Sequence, residues 1–326
     1  MKVIGKTILI ALIAVTGLST PARAFFKGHH SPGGWGLQSG TQVPTPGGFM
    51  VSPLYSRYYS DRLVDENGDE FQLFEGNRDI TVNAVGLFGW WVSKWNILGA
   101  NWGMLGTVAA VDNNISFASF DFDGEFGLTD IYLQPINLGW HLKQADFMVS
   151  YGIYFPTGSY EYGADDNNGL GMWTHEFGAG TTLYFDSEKK WHISAMGYLE
   201  THSEKKDTDI QVGEILTVEG GLGRSWFEGA LSVGIAYYAQ WKLTEDEVGL
   251  GTTDQVESLL PSGRQVPSSL KLKKSRLYGL GPEINFPIVI KDKLISIVTA
   301  RYQWEFDARS TLEGQTFNLF INFPFF

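Results

Sequence analysis

Glu176, Glu200, His202, Glu219, Lys242, Glu283, Arg301 and Glu305 share one property. Each falls on the polar phase of a two-residue alternation, out of step with apolar neighbours. Charges of both signs on one face can do two kinds of chemistry. Around an enclosed space they create a field that selects solutes. Against one another they form salt bridges and hydrogen bonds that hold neighbouring segments together. Tyr184, Tyr198 and Tyr238 share the phase and add aromatic surface with a hydroxyl handle. Glu176, Tyr184, Tyr198, Glu200, Glu219, Tyr238, Lys242, Glu283, Arg301 and Glu305 are therefore the candidate binding residues.

The same face carries His192, Ser194 and Glu200, the residue types of a hydrolytic triad. A triad is defined by geometry, so spacing along a strand does not make one. No P-loop, GxSxG, HExxH or GxGxxG fingerprint occurs. His29 and His30 could form a ligand latch or contribute to a metal site, but two adjacent histidines cannot make a tetrahedral site alone. A mobile N-terminus is the plainer expectation for them. Asp65, Asn67 and Asp69 match only the first half of a calcium loop, and Gly68 is displaced from the position such a loop requires. There is no cysteine, hence no disulfide framework and no thiolate metal site. No catalytic residue, cofactor or metal ligand is assigned on this reading.

The elements that carry the polar phase are strands. Leu231, Val233, Ile235, Tyr237, Ala239, Trp241 and Leu243 alternate with Ser232, Gly234, Ala236, Tyr238, Gln240 and Lys242. Val298, Ala300, Tyr302, Trp304 and Phe306 alternate with Thr299, Arg301, Gln303, Glu305 and Asp307. The pattern predicts twelve strands, near 49–60, 78–93, 98–111, 126–141, 147–156, 171–185, 191–203, 214–226, 230–243, 273–288, 294–307 and 314–326. Facing is ambiguous in 78–93 and in 126–141, where Pro135 predicts a bulge or an edge irregularity. Short connections alternate with longer polar ones, and the last long-side connection, 308–313, is itself short.

Composition narrows the setting. The 326 residues include 39 glycines, 11 Trp and 22 Phe, with only 18% charged residues. That is unlike a charged, helix-rich soluble enzyme, and the aromatic content argues against disorder. A net charge of −12 makes nucleic acid a poor partner. Residues 1–24 read as a signal peptide: Lys2 and Lys6, an apolar run over 7–20, and Ala22-Arg23-Ala24 as the cleavage site. No later run is long and apolar enough for a transmembrane helix, so any membrane must be crossed by strands. Strands exposed to hydrocarbon must pair every backbone group, which only closure allows. The fold class is therefore all-β: a transmembrane antiparallel β-barrel of residues 49–326, with short periplasmic turns, longer extracellular loops and both chain ends on the periplasmic side. The apolar phase then meets lipid. Trp191 and Trp226 beside short turns, with Trp241 and Trp304 beside long loops, predict two aromatic girdles. A soluble β-sandwich with the apolar phase as its core is the alternative. The Gly/Pro-rich stretch 25–48 is not strand-like; it could plug the lumen or hang in the periplasm.

Several short motifs together resemble the MetA-pathway of phenol degradation family of outer-membrane proteins. They include His30-x-Pro32-Gly33, Tyr58-Tyr59-Ser60-Asp61-Arg62-Leu63 and Gly127-Leu128-Thr129-Asp130-Ile131-Tyr132. Others are Pro135-x-x-Leu138-Gly139-Trp140-His141, Phe155-Pro156-Thr157-Gly158-x-Tyr160 and Trp304-Glu305-Phe306-Asp307. Thr129 stands where the family often has Gly, and the connection 244–272 looks longer than usual. The resemblance implies a bacterial outer-membrane channel, not an enzyme, for passive uptake of small hydrophobic or aromatic compounds. Its expected partners are outer-membrane lipid and lipopolysaccharide, such solutes, and the outer-membrane assembly machinery during biogenesis. A structural or adhesive barrel and an outer-membrane hydrolase are the alternatives.

Overall fold

The computed structural model describes residues 28–70, 78–117, 120–162, 164, 166–227, 230–248 and 274–325. The expected signal peptide and most of the connection 244–272 lie outside the described residues. In chain order the strands are β1 (Phe49–Val64), β2 (Arg78–Ile97), β3 (Ala100–Phe117), β4 (Phe120–Asp123), β5 (Gly127–Leu128), β6 (Ile131–His141), β7 (Ala145–Phe155) and β8 (Thr174–Tyr184). They continue as β9 (Trp191–His202), β10 (Ile210–Gln211), β11 (Ile215–Trp226), β12 (Leu231–Lys242), β13 (Glu247–Val248), β14 (Arg276–Ile290), β15 (Lys293–Arg309) and β16 (Thr311–Phe325).

Setting aside the short β4, β5, β10 and β13, the long strands form one closed antiparallel ring. Each pairs with its neighbours along the chain, and β1 closes the ring on β16, with Leu54 opposite Phe320 and Tyr58 opposite Thr316. This is the expected twelve-strand barrel, and closure leaves no strand edge for lipid to meet. The alternation is inside-out relative to a soluble core. On β12, Val233 and Ile235 are 47% and 51% exposed, while Ser232 and Ala236 are fully buried. That arrangement excludes the soluble sandwich, whose apolar phase would face inward.

Strand length is uneven. β2 and β3 have 20 and 18 residues, whereas β6 to β8 have 11 each. About 9–11 residues cross a bilayer, so β2 and β3 stand well clear of it. The facing of β2 was ambiguous because it is apolar on both sides. Ile80, Val82, Phe88, Trp90 and Val92 are buried inside, while Val85, Leu87 and Trp91 are exposed outside. The expected strand 126–141 is split into β5 and β6 by Thr129 and Asp130. Asp130 is held there because its carboxylate accepts the N–H groups of Gly158 and Leu170. The irregularity expected at Pro135 is present as register shifts on both flanks of β6. Pro135 has no N–H to give the ladder, and its carbonyl instead accepts the indole N–H of Trp102 at 3.0 Å.

The turn end is compact. Leu98 and Gly99 between β2 and β3, and Lys291 and Asp292 between β14 and β15, all have positive φ, the requirement of a two-residue type I′ hairpin. Aromatic side chains ring this end outside. Trp102 stacks on Trp95 and meets Trp91 edge-on, and the Trp140 indole donates to Leu98 O. A second belt at the loop end includes Trp241, Tyr278 and Phe306 in contact. The connection expected over 308–313 is tighter still: Ser310 alone separates β15 from β16. One expectation needs correction. The barrel begins and ends at the turn end, but residues 28–48 fold back into the lumen. Gly47 and Gly48 pair with Val92 near the turns, while Gly28 lies against Glu200 near the outer end of β9. The described chain therefore starts in the outer half of the barrel.

Candidate functional site

Residues 28–48 form an irregular strap along one side of the lumen. A chain with so many Gly and Pro has few ladder partners of its own, so its polar groups are met by the barrel wall. The wall offers carboxylates. His30 donates from Nδ1 to Glu176 at 2.7 Å and from Nε2 to Glu219 at 2.9 Å, and its backbone N–H donates to Glu200. Glu219 also accepts the N–H groups of Gly33 and Trp35, and Glu283 accepts that of Leu37. His29 bridges Asp130 at 2.8 Å and Thr174 at 2.7 Å, with its ring stacked on Tyr154. Lower down, Gln42 donates to Asn137 and Thr41 to Asp146. Leu37 is fully buried in a socket lined by Gly221, Gly223 and Gly234, where any Cβ would come within 3.1 Å of it.

With a carboxylate at each ring nitrogen, the setting of His30 favours the imidazolium, which donates from both. Burial alone would push the His30 pKa down, but the charges and hydrogen bonds of Glu176 and Glu219 together outweigh it and raise the value well above the ordinary one. A raised folded pKa stabilises fully below the unfolded value and is lost as pH climbs through the folded value. The urea midpoint of the folded barrel should therefore fall as pH rises from neutral into the alkaline range. In His30→Gln that slope should be shallower, and equal slopes would remove His30 from the account.

All ten candidate residues point inside, and eight of them fall into three groups. Glu176, Tyr198, Glu200 and Glu219 surround His30, whose ring lies 4.4 Å from that of Tyr198. Glu283 and Arg301 pair at 2.7 Å, and Arg301 donates to Gly33 O of the strap. Glu305 accepts the hydroxyls of Tyr58 and Tyr238. Tyr184 and Lys242 lie apart from these groups, on Asp146 and Asp246 respectively. His192, Ser194 and Glu200 are not joined. Ser194 donates to Gly36 O and accepts from Gly221, while His192 contacts Ser225 and Glu200 accepts from His30. Asp65 of the half calcium loop accepts the N–H groups of Asn67 and Asp69, closing a local turn. Among the described residues, no cluster of three or more His, Asp or Glu has the form of a metal site.

Sequence reasoning missed the strap's anchorage and the apolar wall opposite it. The mobile terminus expected at His29 and His30 is instead tied down by wall carboxylates. Between strap and wall lies a cavity of about 500 Å³. Leu54, Val82, Ala84, Phe88, Leu105 and Ala109 of β1 to β3 form one side of it, and Trp35 of the strap faces them. Trp35 meets Phe88 and Trp90 edge-on, at 5.6 and 5.8 Å between centroids. The lining extends from Asn113, Asp130 and Asn168 at the loop end to Met50 and Asn322 near the turns. Small side chains at Ser56, Ala84, Thr107 and Ala109 leave this space open; the doubly apolar phase of β2 was the signal that one lumen wall is not polar.

The geometry agrees with what the chain resembles. Its residues 60–321 match the family described as the MetA-pathway of phenol degradation. Among solved structures it is similar to an outer-membrane channel from Pseudomonas putida F1, with TM-score 0.68 and 13% identity over 91% of this chain and 100% of that one. The translocator domain of the autotransporter NalP from Neisseria meningitidis overlays with TM-score 0.46 and 12% identity, over 89% of this chain and 92% of that one. No curated protein matches the chain in sequence. The match spans most of the barrel, and the chain belongs to the MetA-pathway of phenol degradation family as a β-barrel of the bacterial outer membrane.

Proposed function

We propose that the protein is a passive channel for small hydrophobic, mainly aromatic, solutes. The observation that carries this reading is the cavity beside the strap, whose lining extends from the loop end to near the turns. A cavity of that size matches the lower range of small-molecule sites, and its wall on β1 to β3 is largely apolar. Lipopolysaccharide retards apolar solutes, so a protein path past that leaflet has a use. The cavity lies beside the strap, so in this reading the strap stays in place as a solute passes. The likeness in fold to the Pseudomonas putida F1 outer-membrane channel supports the same reading.

The reading makes a kinetic prediction. Cells lacking the protein should take up a dilute aromatic compound more slowly than wild type and match wild type when it is plentiful. Ala109→Trp, which fills the cavity from the wall, should reproduce the deletion in a barrel that still shifts mobility on boiling. Unchanged uptake at every concentration, for aromatics and other small hydrophobic solutes alike, would defeat the channel and favour a structural barrel.

A further inference from the structure

We infer that residues 28–37 of the strap mask the lumen's charge, and that this masking makes the passage selective for uncharged solutes over ionised ones of the same shape. The inference rests on the passage proposed above and names what it admits.

Three observations carry it. The wall itself is strongly anionic: Glu176, Glu200, Glu219 and Glu283 stand on β8, β9, β11 and β14, all nearly or fully buried. Arg301 pairs with Glu283, and Lys242 is committed to Asp246. Without the strap Glu219 would lose His30 and the N–H groups of Gly33 and Trp35, while Glu176 would keep the Tyr132 hydroxyl and Glu200 would keep His202 at 3.8 Å. The strap supplies the counter-groups, namely two imidazoles and the N–H groups of His30, Gly33, Trp35 and Leu37. Finally, the charged groups that do reach the cavity are spoken for. Asp130 holds His29, Glu176 holds His30, and Glu283 holds Arg301. The remaining polar lining consists of amides and hydroxyls such as Ser56, Thr107, Asn113 and Asn318.

An ion entering this space loses water and gains no free counter-charge, whereas a neutral solute loses little. An anion would also approach carboxylates from behind their partners. The strap thus acts as a selectivity element, with His30 as its central positioning residue because it holds three of the four glutamates.

The test uses the full-length protein in proteoliposomes at neutral pH, with benzamide and benzoate as probes. They share shape and differ in charge. Benzamide influx above protein-free vesicles should exceed that of benzoate by about tenfold or more. In planar bilayers with a potassium chloride gradient, His30→Gln should open a cation-selective current, read from the reversal potential. Adding Glu176→Gln and Glu219→Gln to it should abolish that selectivity, which a merely loosened strap would not do. Benzoate entering as fast as benzamide overturns the inference. So does a closed, heat-modifiable His30→Gln barrel with no cation preference. If His30→Gln does not fold, the benzamide and benzoate comparison on the wild-type protein decides alone. Failure of both probes to enter above protein-free vesicles defeats the channel reading itself, and the inference with it.

Discussion

Deleting residues 28–46 should raise single-channel conductance on the order of tenfold, because a twelve-strand barrel lies between those filled by side chains and the open porins. The wall does not depend on the strap for closure: every neighbouring pair of long strands is hydrogen-bonded directly, including β1 with β16 and β2 with β3. What the deletion removes is the filling. His30, Leu37, Ser39 and Gln42 are buried in the lumen, and the Leu37 socket on β11 and β12 would fill with water. The variant should be less stable, since Glu219 loses His30 together with the N–H groups of Gly33 and Trp35. A buried carboxylate left unpartnered is costly unless water reaches it, and in the emptied lumen water can. Planar-bilayer recording of the refolded variant is the measurement. An unchanged, low conductance in a barrel that still shifts mobility on boiling would show that the strap does not set the bore.

The barrel was legible because alternation is a local signal. On β12 and β15 each side chain's face follows from its parity, and parity survives any error in strand ends. That is also why Glu176, Glu219, Arg301 and Glu305 could be placed inside without knowing what they touch. The strap was not legible for the opposite reason. His29 and His30 owe their order to residues 100 to 190 positions away, such as Asp130, Glu176 and Glu219. Nothing in a Gly/Pro-rich stretch records such distant partners. The cavity was hidden too. It exists because Ser56, Ala84, Thr107 and Ala109 are small where Trp35 happens to face them, which is a relation between segments rather than a pattern within one. β2 did carry a trace, since a strand apolar on both faces has no place in a uniformly polar lumen.

A charge placed on the lipid face should be far more damaging than one placed on the open side of the lumen. Ile235 lies on the outer face near the middle of β12, 51% exposed between Val233 and Tyr237. Ile235→Arg would set a guanidinium in hydrocarbon with no partner, at roughly 2–4 kcal/mol of folding free energy near the midplane. Parity alone would choose Ala236 as the lumen control, but that choice fails on packing. Ala236 is fully buried between Gly221 and Gly281, and Leu37 of the strap fills the glycine socket beside it. An arginine there would push the strap aside. Ser56 is the better control. It lines the cavity opposite Ala84 and Asn318, on a wall with room in front of it. Ser56→Arg can extend into that space and keep its charge hydrated, so its folding cost should stay within about 1 kcal/mol. Its effect should fall on transport instead, as a long cation crossing an apolar path. Urea unfolding in lipid vesicles reports the first difference and uptake of a dilute aromatic the second. If Ser56→Arg proved the more destabilising of the two, the assignment of inside and outside on these strands would be wrong.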